Sequence, residues 1–344
     1  MRQTPIRRRN VSTMRPTAVY DLYWRFAAER QAIFFRRLEG MAAPWTDDPI
    51  LQSYKFTNAY RASDRVSQYL IRRVIYDECY STAPAEIIFR ILLFKLFNKV
   101  ATWELLEAQL GLPSWQSFDP YAYDRVLSTA TAAGSRLYSA AYIIPPVALD
   151  RTGVKHRGHL KLLDLILRSS FVAQLERTHD LHAVFGLLKQ FPSLGDFLAF
   201  QLAIDLNYSP VIDHEEASFV VAGPGARDGL AKTFADAGAL VPEDLIEMMV
   251  ERQEDEFTSL GLDFRVLWGR RLQPIDCQNL FCEISKYTRV SNPEIAGLSG
   301  RTRIKQVFRS QGPSVQPWYP PKWGLNDKIP HYELVSSDLF ASAP

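Results

Sequence analysis

One short stretch of the chain gathers most of the groups that could do chemistry: Asp276-Cys277-Gln278-Asn279-Leu280-Phe281-Cys282-Glu283-Ile284-Ser285-Lys286-Tyr287-Thr288-Arg289. Wound as a helix, it puts Asn279, Glu283, Lys286 and Tyr287 at i, i+4, i+7 and i+8, on one face, with Leu280 and Ile284 on the apolar side. Amides such as Asn279 and Gln278 can read a base edge, Glu283 can accept a proton, and Lys286 and Arg289 can hold a phosphate. Arg301, Arg303 and Lys305 follow and would extend a phosphate track. The plain alternative is a Glu283–Lys286 surface ion pair over buried Cys282 and Phe281, which contributes little energy. Cys282 is not read as a nucleophile, because no His lies near it in sequence to activate it.

A second pattern is Phe191-Pro192-Ser193-Leu194-Gly195-Asp196-Phe197-Leu198-Ala199, between one amphipathic helix and another that starts near Gly195. It resembles a helix-hairpin-helix, in which a tight turn points backbone N–H groups at a phosphate. Ser193, Leu194 and Gly195 would supply those groups. Ser193 stands where the pattern has its first glycine, and Asp196 adds a negative charge beside the proposed phosphate, so an ordinary interhelical turn is the competing reading. Gly223-Pro224-Gly225-Ala226-Arg227 opens a further helix: Gly223 and Gly225 permit close backbone approach, and Arg227 can clamp a phosphate bidentately. Asp205, on the helix after the hairpin, is the better-placed carboxylate of this region. Facing a cleft it would act as a base or cation stabiliser; facing water it is a surface acid.

The elements that must carry these groups read as almost entirely helical, an all-α fold with few or no strands. Apolar spacing predicts helices over 20–38, 58–76, 84–100, 102–110, 120–132, 134–143, 158–175 and 179–190. Strand-like alternation is confined to 219–222 and 265–268. Seven acids against one arginine over 241–260 mark a solvated helix face. Residues 311–323 hold Pro313, Pro317, Pro320 and Pro321 beside Trp318, Tyr319 and Trp323, so an extended strap with docking aromatics is expected. The organisation expected is a basic arm over 1–18, one large helical domain over 19–310 in two lobes (19–150 and 151–310), and a Pro-rich strap and tail over 311–344.

Composition sets the outer limits. Of 344 residues, 47% are hydrophobic and 23% charged, which excludes disorder as the main state. Lys+Arg 40 against Asp+Glu 38 leaves a net charge of +2, so bulk charge names no partner. No apolar run is long enough to span a bilayer, and no membrane partner is expected. Three cysteines, Cys79, Cys277 and Cys282, with no Cys-x-x-Cys pair, suit a reducing compartment and offer no metal-ligand set, so neither a metal nor another cofactor is expected. Arg2, Arg7, Arg8, Arg9 and Arg15 form the basic arm, which favours an intracellular protein, nuclear if the source is eukaryotic.

Two stretches together carry a resemblance to a known family. One is Trp24-Arg25-Phe26, Glu29-Arg30-Gln31 and Phe35-Arg36-Arg37, followed by Pro44-Trp45-Thr46-Asp47-Asp48-Pro49-Ile50-Leu51, Phe56-Thr57-Asn58, Tyr60-Arg61 and Asp64-Arg65-Val66. The other is Asp276 to Arg289. Between them stand Phe97-Asn98-Lys99, Thr102-Trp103-Glu104, Ala141-Tyr142-Ile143, then Gly195, Gln201, Asp205-Leu206 and Tyr208. The sequence resembles the α-glutamyl/putrescinyl-thymine pyrophosphorylase group, which includes the helical domain of 5-hydroxymethyl-deoxyuridine DNA kinases, from about residue 20 to about residue 310.

The resemblance implies a helical, DNA-glycosylase-like enzyme acting on a flipped-out modified pyrimidine, a thymine analogue derived from 5-hydroxymethyluracil. The implied reaction is group transfer at the 5-methylene carbon with loss of pyrophosphate. Excision of a bulky modified pyrimidine by a glycosylase is the alternative, and a non-catalytic DNA-binding module the second. No Gly-x4-Gly-Lys-Ser/Thr occurs, so the kinase half is not expected here. A base taken out of the stack needs aromatic walls and amide donors. Trp45, Phe56 and Tyr208 would be the walls and Asn58, Gln278 and Asn279 the edge readers. Asp205 or Glu283 would be the general base, and Arg61, Lys286 and Arg289 the cations for the leaving diphosphate. The partners implied are DNA carrying the modified base and a small amine or amino-acid co-substrate; oligomeric state stays open.

Overall fold

In a computed structural model, residues 14–139, 144–309 and 315–332 are described. The expected basic arm lies outside them except for its last five residues. In chain order the elements are β1 (Arg15–Pro16), α1 (Val19–Leu38), α2 (Pro49–Ser53), α3 (Arg65–Tyr69), continued by a π-helical stretch Leu70–Ile75, α4 (Pro84–Phe97), α5 (Val100–Leu110), α6 (Pro120–Ala132) and α7 (Lys155–Arg168). There follow α8 (Phe171–Leu175), α9 (Leu181–Leu188), α10 (Asp196–Asn207), α11 (Pro224–Thr233), β2 (Phe234–Asp236), α12 (Pro242–Ser259) and α13 (Pro274–Ser291). The fold is all-α, with β1 and β2 as its two-stranded antiparallel exception. Among the described residues no helix is long and apolar enough to cross a membrane.

The chain packs as two units, Met1–Arg61 with Val220–Ser310, and Ala62–Phe219 with Gln311–Pro344. This differs from consecutive lobes at 19–150 and 151–310. The reason is long-range aromatic packing: on α1, Tyr23 meets Phe281 of α13 at 4.6 Å and Trp24 meets Phe257 of α12 at 5.1 Å, so the first helix joins the last two.

In this first unit α13 is seated by α11. A Cβ at Gly229 would lie 2.0 Å from the carbonyl oxygen of Phe281, and one at Gly225 would lie 2.9 Å from Cys282 Sγ. Two glycines four apart share a helix face, and only their missing side chains let the backbones approach this closely. Behind them Asp228 accepts from the Ser285 hydroxyl and, at 2.6 Å, from the Ser299 N–H, while buried Lys232 donates to Ser285 O at 2.9 Å and Thr288 Oγ1 at 3.2 Å.

The second unit is built on α4. Pro84 at its first turn and Asn98 in the left-handed region (φ 49°) mark its ends, and Ile88, Phe89, Ile91 and Leu93 are wholly buried. The single helix expected over 58–76 is broken into a 3₁₀ turn at Arg61–Ser63, α3 and the π-helical stretch. A π-widening shifts a carbonyl off the regular ladder, and here the buried Arg90 guanidinium donates to Val74 O at 2.9 Å. Of the helix expected over 134–143, residues 134–139 are not helical and the rest lie outside the described residues. Gly134 (φ 83°) stops α6, and the following backbone is bonded elsewhere, Ser139 N to Phe97 O and Thr102 Oγ1 to Leu137 O. The helix expected over 158–175 is divided at Ser169–Ser170 into α7 and α8.

Neither strand-like stretch forms a sheet. Ala222 N–H is taken by Glu243 Oε1, and Leu267 bridges back to Arg270 around Trp268 (φ 48°). The strap, from 315 on, does dock by its aromatics within its own unit: Trp318 meets Tyr76 at 5.1 Å, Trp323 meets Tyr208 at 5.7 Å, and the Tyr319 hydroxyl bonds Ser63 Oγ at 2.7 Å.

Candidate functional site

Helix α13 starts on Pro274, and Asp276 caps it by accepting the Gln273 N–H at 3.0 Å. The other oxygen of Asp276 accepts Arg61 N–H at 2.8 Å, which ties the loop after α2 to the helix start. Along the helix Leu280, Phe281, Ile284, Ser285 and Thr288 are buried, while Asn279, Cys282, Glu283, Lys286 and Arg289 are partly buried and Val290 is open to solvent. The face drawn from the sequence spacing therefore exists, with one change. Tyr287 turns inward and donates to Asp48 Oδ2 at 2.6 Å.

On that face Glu283 and Lys286 form an ion pair at 2.7 Å, but not a loose surface one, since their side chains are only 12% and 13% exposed. Glu283 Oε2 also accepts Thr57 N–H at 3.1 Å, and Lys286 Nζ donates to Lys55 O at 2.7 Å and stands 4.5 Å over the Phe56 ring. Backbone and ring thus hold both charges in fixed places. One turn earlier the Asn279 side chain makes no hydrogen bond among the described residues, so a half-exposed amide has its donor and acceptor unspent. Cys282 packs under α11, accepts from Gln278 Nε2 at 3.2 Å, and burial pushes its thiol up to about 12, far from a reactive thiolate at neutral pH.

The other expected site residues of this unit are more enclosed. Gln278 is fully buried, and Phe56 packs against Phe26 at 5.4 Å with 8% exposure. Trp45 is half-buried, its Nε1–H donated to Met41 O and its ring covered by Arg37 at 4.8 Å. Asn58 accepts from Arg30 at 3.2 Å, and Arg61 is 5% exposed. Arg227 donates to Ala222 O and Glu243 Oε1 at 3.0 and 2.8 Å, and with Gly223 at the cap and Gly225 against Cys282 the loop is committed to packing rather than held open for a phosphate. Arg289 donates to Arg303 O at 3.2 Å; Arg301, Arg303 and Lys305 are exposed. The packing role of Gly225 and Gly229 was missed in the sequence, although their spacing of four on one helix is its signal.

In the second unit Asp205 faces neither a cleft nor water. It is 0% exposed and lies 3.3 Å from Lys95 Nζ, which itself donates to Asn98 Oδ1 at 2.8 Å. Tyr208 is also fully enclosed, with its carbonyl accepting from the Tyr76 hydroxyl. In the turn before α10, Ser193, which stands where the hairpin pattern has its first glycine, is left-handed at φ 65°. Its amides are partly spent: Leu194 N–H bonds Phe191 O, its side chain is buried beside Lys95 in a small cavity, and Asp196 pairs with Lys189 at the helix start.

An all-helical body with a polar α13 face has a counterpart among known families. The model of the family described as "5-hmdU DNA kinase, helical domain" matches residues 17–297. The chain belongs to this family, as the Trp45–Leu51 and Asp276–Arg289 stretches indicate. A curated relative, the 5-hmdU DNA kinase of Bacillus phage SP10, is 24% identical over 291 residues, covering 78% of this chain and 45% of the relative. The chain therefore spans less than half the relative's length. No solved structure matches.

Proposed function

We propose that this chain is the DNA-engaging body of an enzyme that modifies 5-hydroxymethyluracil, or a derivative of it, in DNA, and that the half-exposed face of α13 meets the base. The observation that carries the reading is the unspent Asn279 amide one helical turn before the paired Glu283, inside the stretch matched by the family. A flipped pyrimidine offers adjacent donors and acceptors on its edge, which an amide with its own donor and acceptor unspent can pair with. The relative is named for acting on this base, and that supports the choice of substrate. With no P-loop pattern in the sequence, nucleoside triphosphate binding is not assigned to these residues.

The reaction we favour is group transfer. An amine nitrogen attacks the 5-methylene carbon of the base diphosphate, the carbon–oxygen bond breaks, and pyrophosphate leaves with the electron pair. The proton lost by the nitrogen passes to Glu283, and Lys286 offsets charge on the leaving group. Asp205 has no part in this step, because its carboxylate is committed to the core. The test is mass spectrometry of nucleosides and freed bases. Duplexes carrying 5-hydroxymethyluracil or its diphosphate are incubated with the protein and an amine. An adduct is expected; a released base would replace transfer by excision, and binding without either would leave a DNA-binding module.

A further inference from the structure

Past the end of α13 at Ser291, and beyond residue 297 where the family match ends, the chain runs back and pairs over 306–308 with the segment 53–55. Lys55 N–H donates to Gln306 O and Phe308 N–H to Ser53 O, both at 2.9 Å, and Tyr54 bridges Val307. Exposure then alternates. Ile304, Gln306 and Phe308 are half-buried, with Phe308 edge-on to Trp45 at 6.4 Å, while Arg303, Lys305, Val307 and Arg309 are exposed. Side chains two apart on extended backbone share a face and stand about 6.6 Å apart. That is close to the separation of successive phosphates along one nucleic-acid strand.

The cations on this ribbon differ from the others of the unit. Elsewhere in the same unit Arg15, Arg36, Arg227, Arg265 and Arg271 each lie against a carboxylate. Among the described residues Arg301, Arg303, Lys305 and Arg309 have no ion-pair partner. Arg289 reaches this segment through Arg303 O, and its own Nε is buried without a hydrogen bond. Like charges gathered along one segment repel one another and are relieved by a polyanion.

We propose that residues 301–309 form a rail for the sugar–phosphate backbone of one DNA strand, with Arg303, Lys305 and Arg309 on the phosphates. The proposal rests on the DNA reading above and adds where the backbone runs. The rail reads no bases, so it serves modified and unmodified DNA alike.

The test is binding of a labelled duplex, with and without 5-hydroxymethyluracil, from about 50 to about 300 mM salt, where each phosphate contact contributes roughly 0.9 to the negative log–log slope. Circular dichroism first checks that each variant keeps the wild-type helical signal. The triple variant Arg303→Ala/Lys305→Ala/Arg309→Ala is expected to flatten the slope by about 2 to 3 for both duplexes. The control Arg265→Ala/Arg271→Ala, which removes paired cations, should leave it unchanged. An unchanged slope in the triple variant, or an equal loss in the control, overturns the rail while leaving the DNA reading intact. A wild type that binds neither duplex, or that binds anionic phosphatidylserine vesicles instead, overturns both. Asn279→Ala separates the two: it should abolish preference for the modified duplex without changing the slope.

Discussion

Asp205 and Glu283 are both carboxylates on helices, each paired with a lysine, yet the two units treat them in opposite ways. Asp205 is wholly enclosed beside Lys95, itself buried. Glu283 sits at the rim of its unit, fixed by Lys286 and the Thr57 N–H but still reached by solvent. Chemical type made them equal candidates for a general base. Burial separates them: a charge with no exposed surface serves the fold, and one held in place with part of its surface open can serve a substrate.

Asp205→Asn leaves Lys95 charged in the core, and a loss of about 3 to 5 kcal/mol in urea unfolding is expected. A loss below about 1 kcal/mol would show that Asp205 is not held as described. Next in size is Gly229→Ala, whose new methyl meets Phe281 O and must push α13 off α11. It should cost about 1 to 3 kcal/mol and, by moving α13, weaken binding of modified DNA as well, which titration of the purified variant checks.

A third acid, Asp228, sharpens the contrast through pH. Burial alone would raise its pKa, but hydrogen bonds from Ser285 and Ser299, with the charge of Lys232, hold it below the usual carboxylate range. A depressed folded pKa gives stability that is present above the unfolded value of about 3.9 and is lost as pH falls through the folded value. Asp228→Asn should therefore be destabilised at neutral pH by about 1 to 2 kcal/mol, with the gap to wild type closing below about pH 4. Denaturation midpoints across pH report it. Smallest in stability is Glu283→Gln, at about 1 kcal/mol, since the amide keeps an oxygen for Thr57 N–H. Its product yield should nevertheless fall by about 10²-fold or more.

The α13 face was legible because helical projection is geometry, and here the helix runs unbroken from Pro274 to Ser291. Its start is also written locally, in Pro274 and Asp276. What the sequence hid was what lies across from each residue. Gly223 and Gly225 suit a phosphate loop as well as they suit a helix contact, and only the position of Cys282, far along the chain, decides between them. Asp205 stayed open between a cleft acid and a surface acid because nothing near it in sequence announces Lys95. Within the helix expected over 58–76, the π-helical stretch has its Val74 carbonyl taken by Arg90, a contact no local pattern encodes.

The central claim is that the base meets α13. Photo-crosslinking tests it directly, with duplex DNA carrying 5-iodouracil at the modified position and mass spectrometry of the linked peptides. Adducts within residues 279–287 are predicted. Adducts confined to residues 192–208, around the turn before α10, would contradict it.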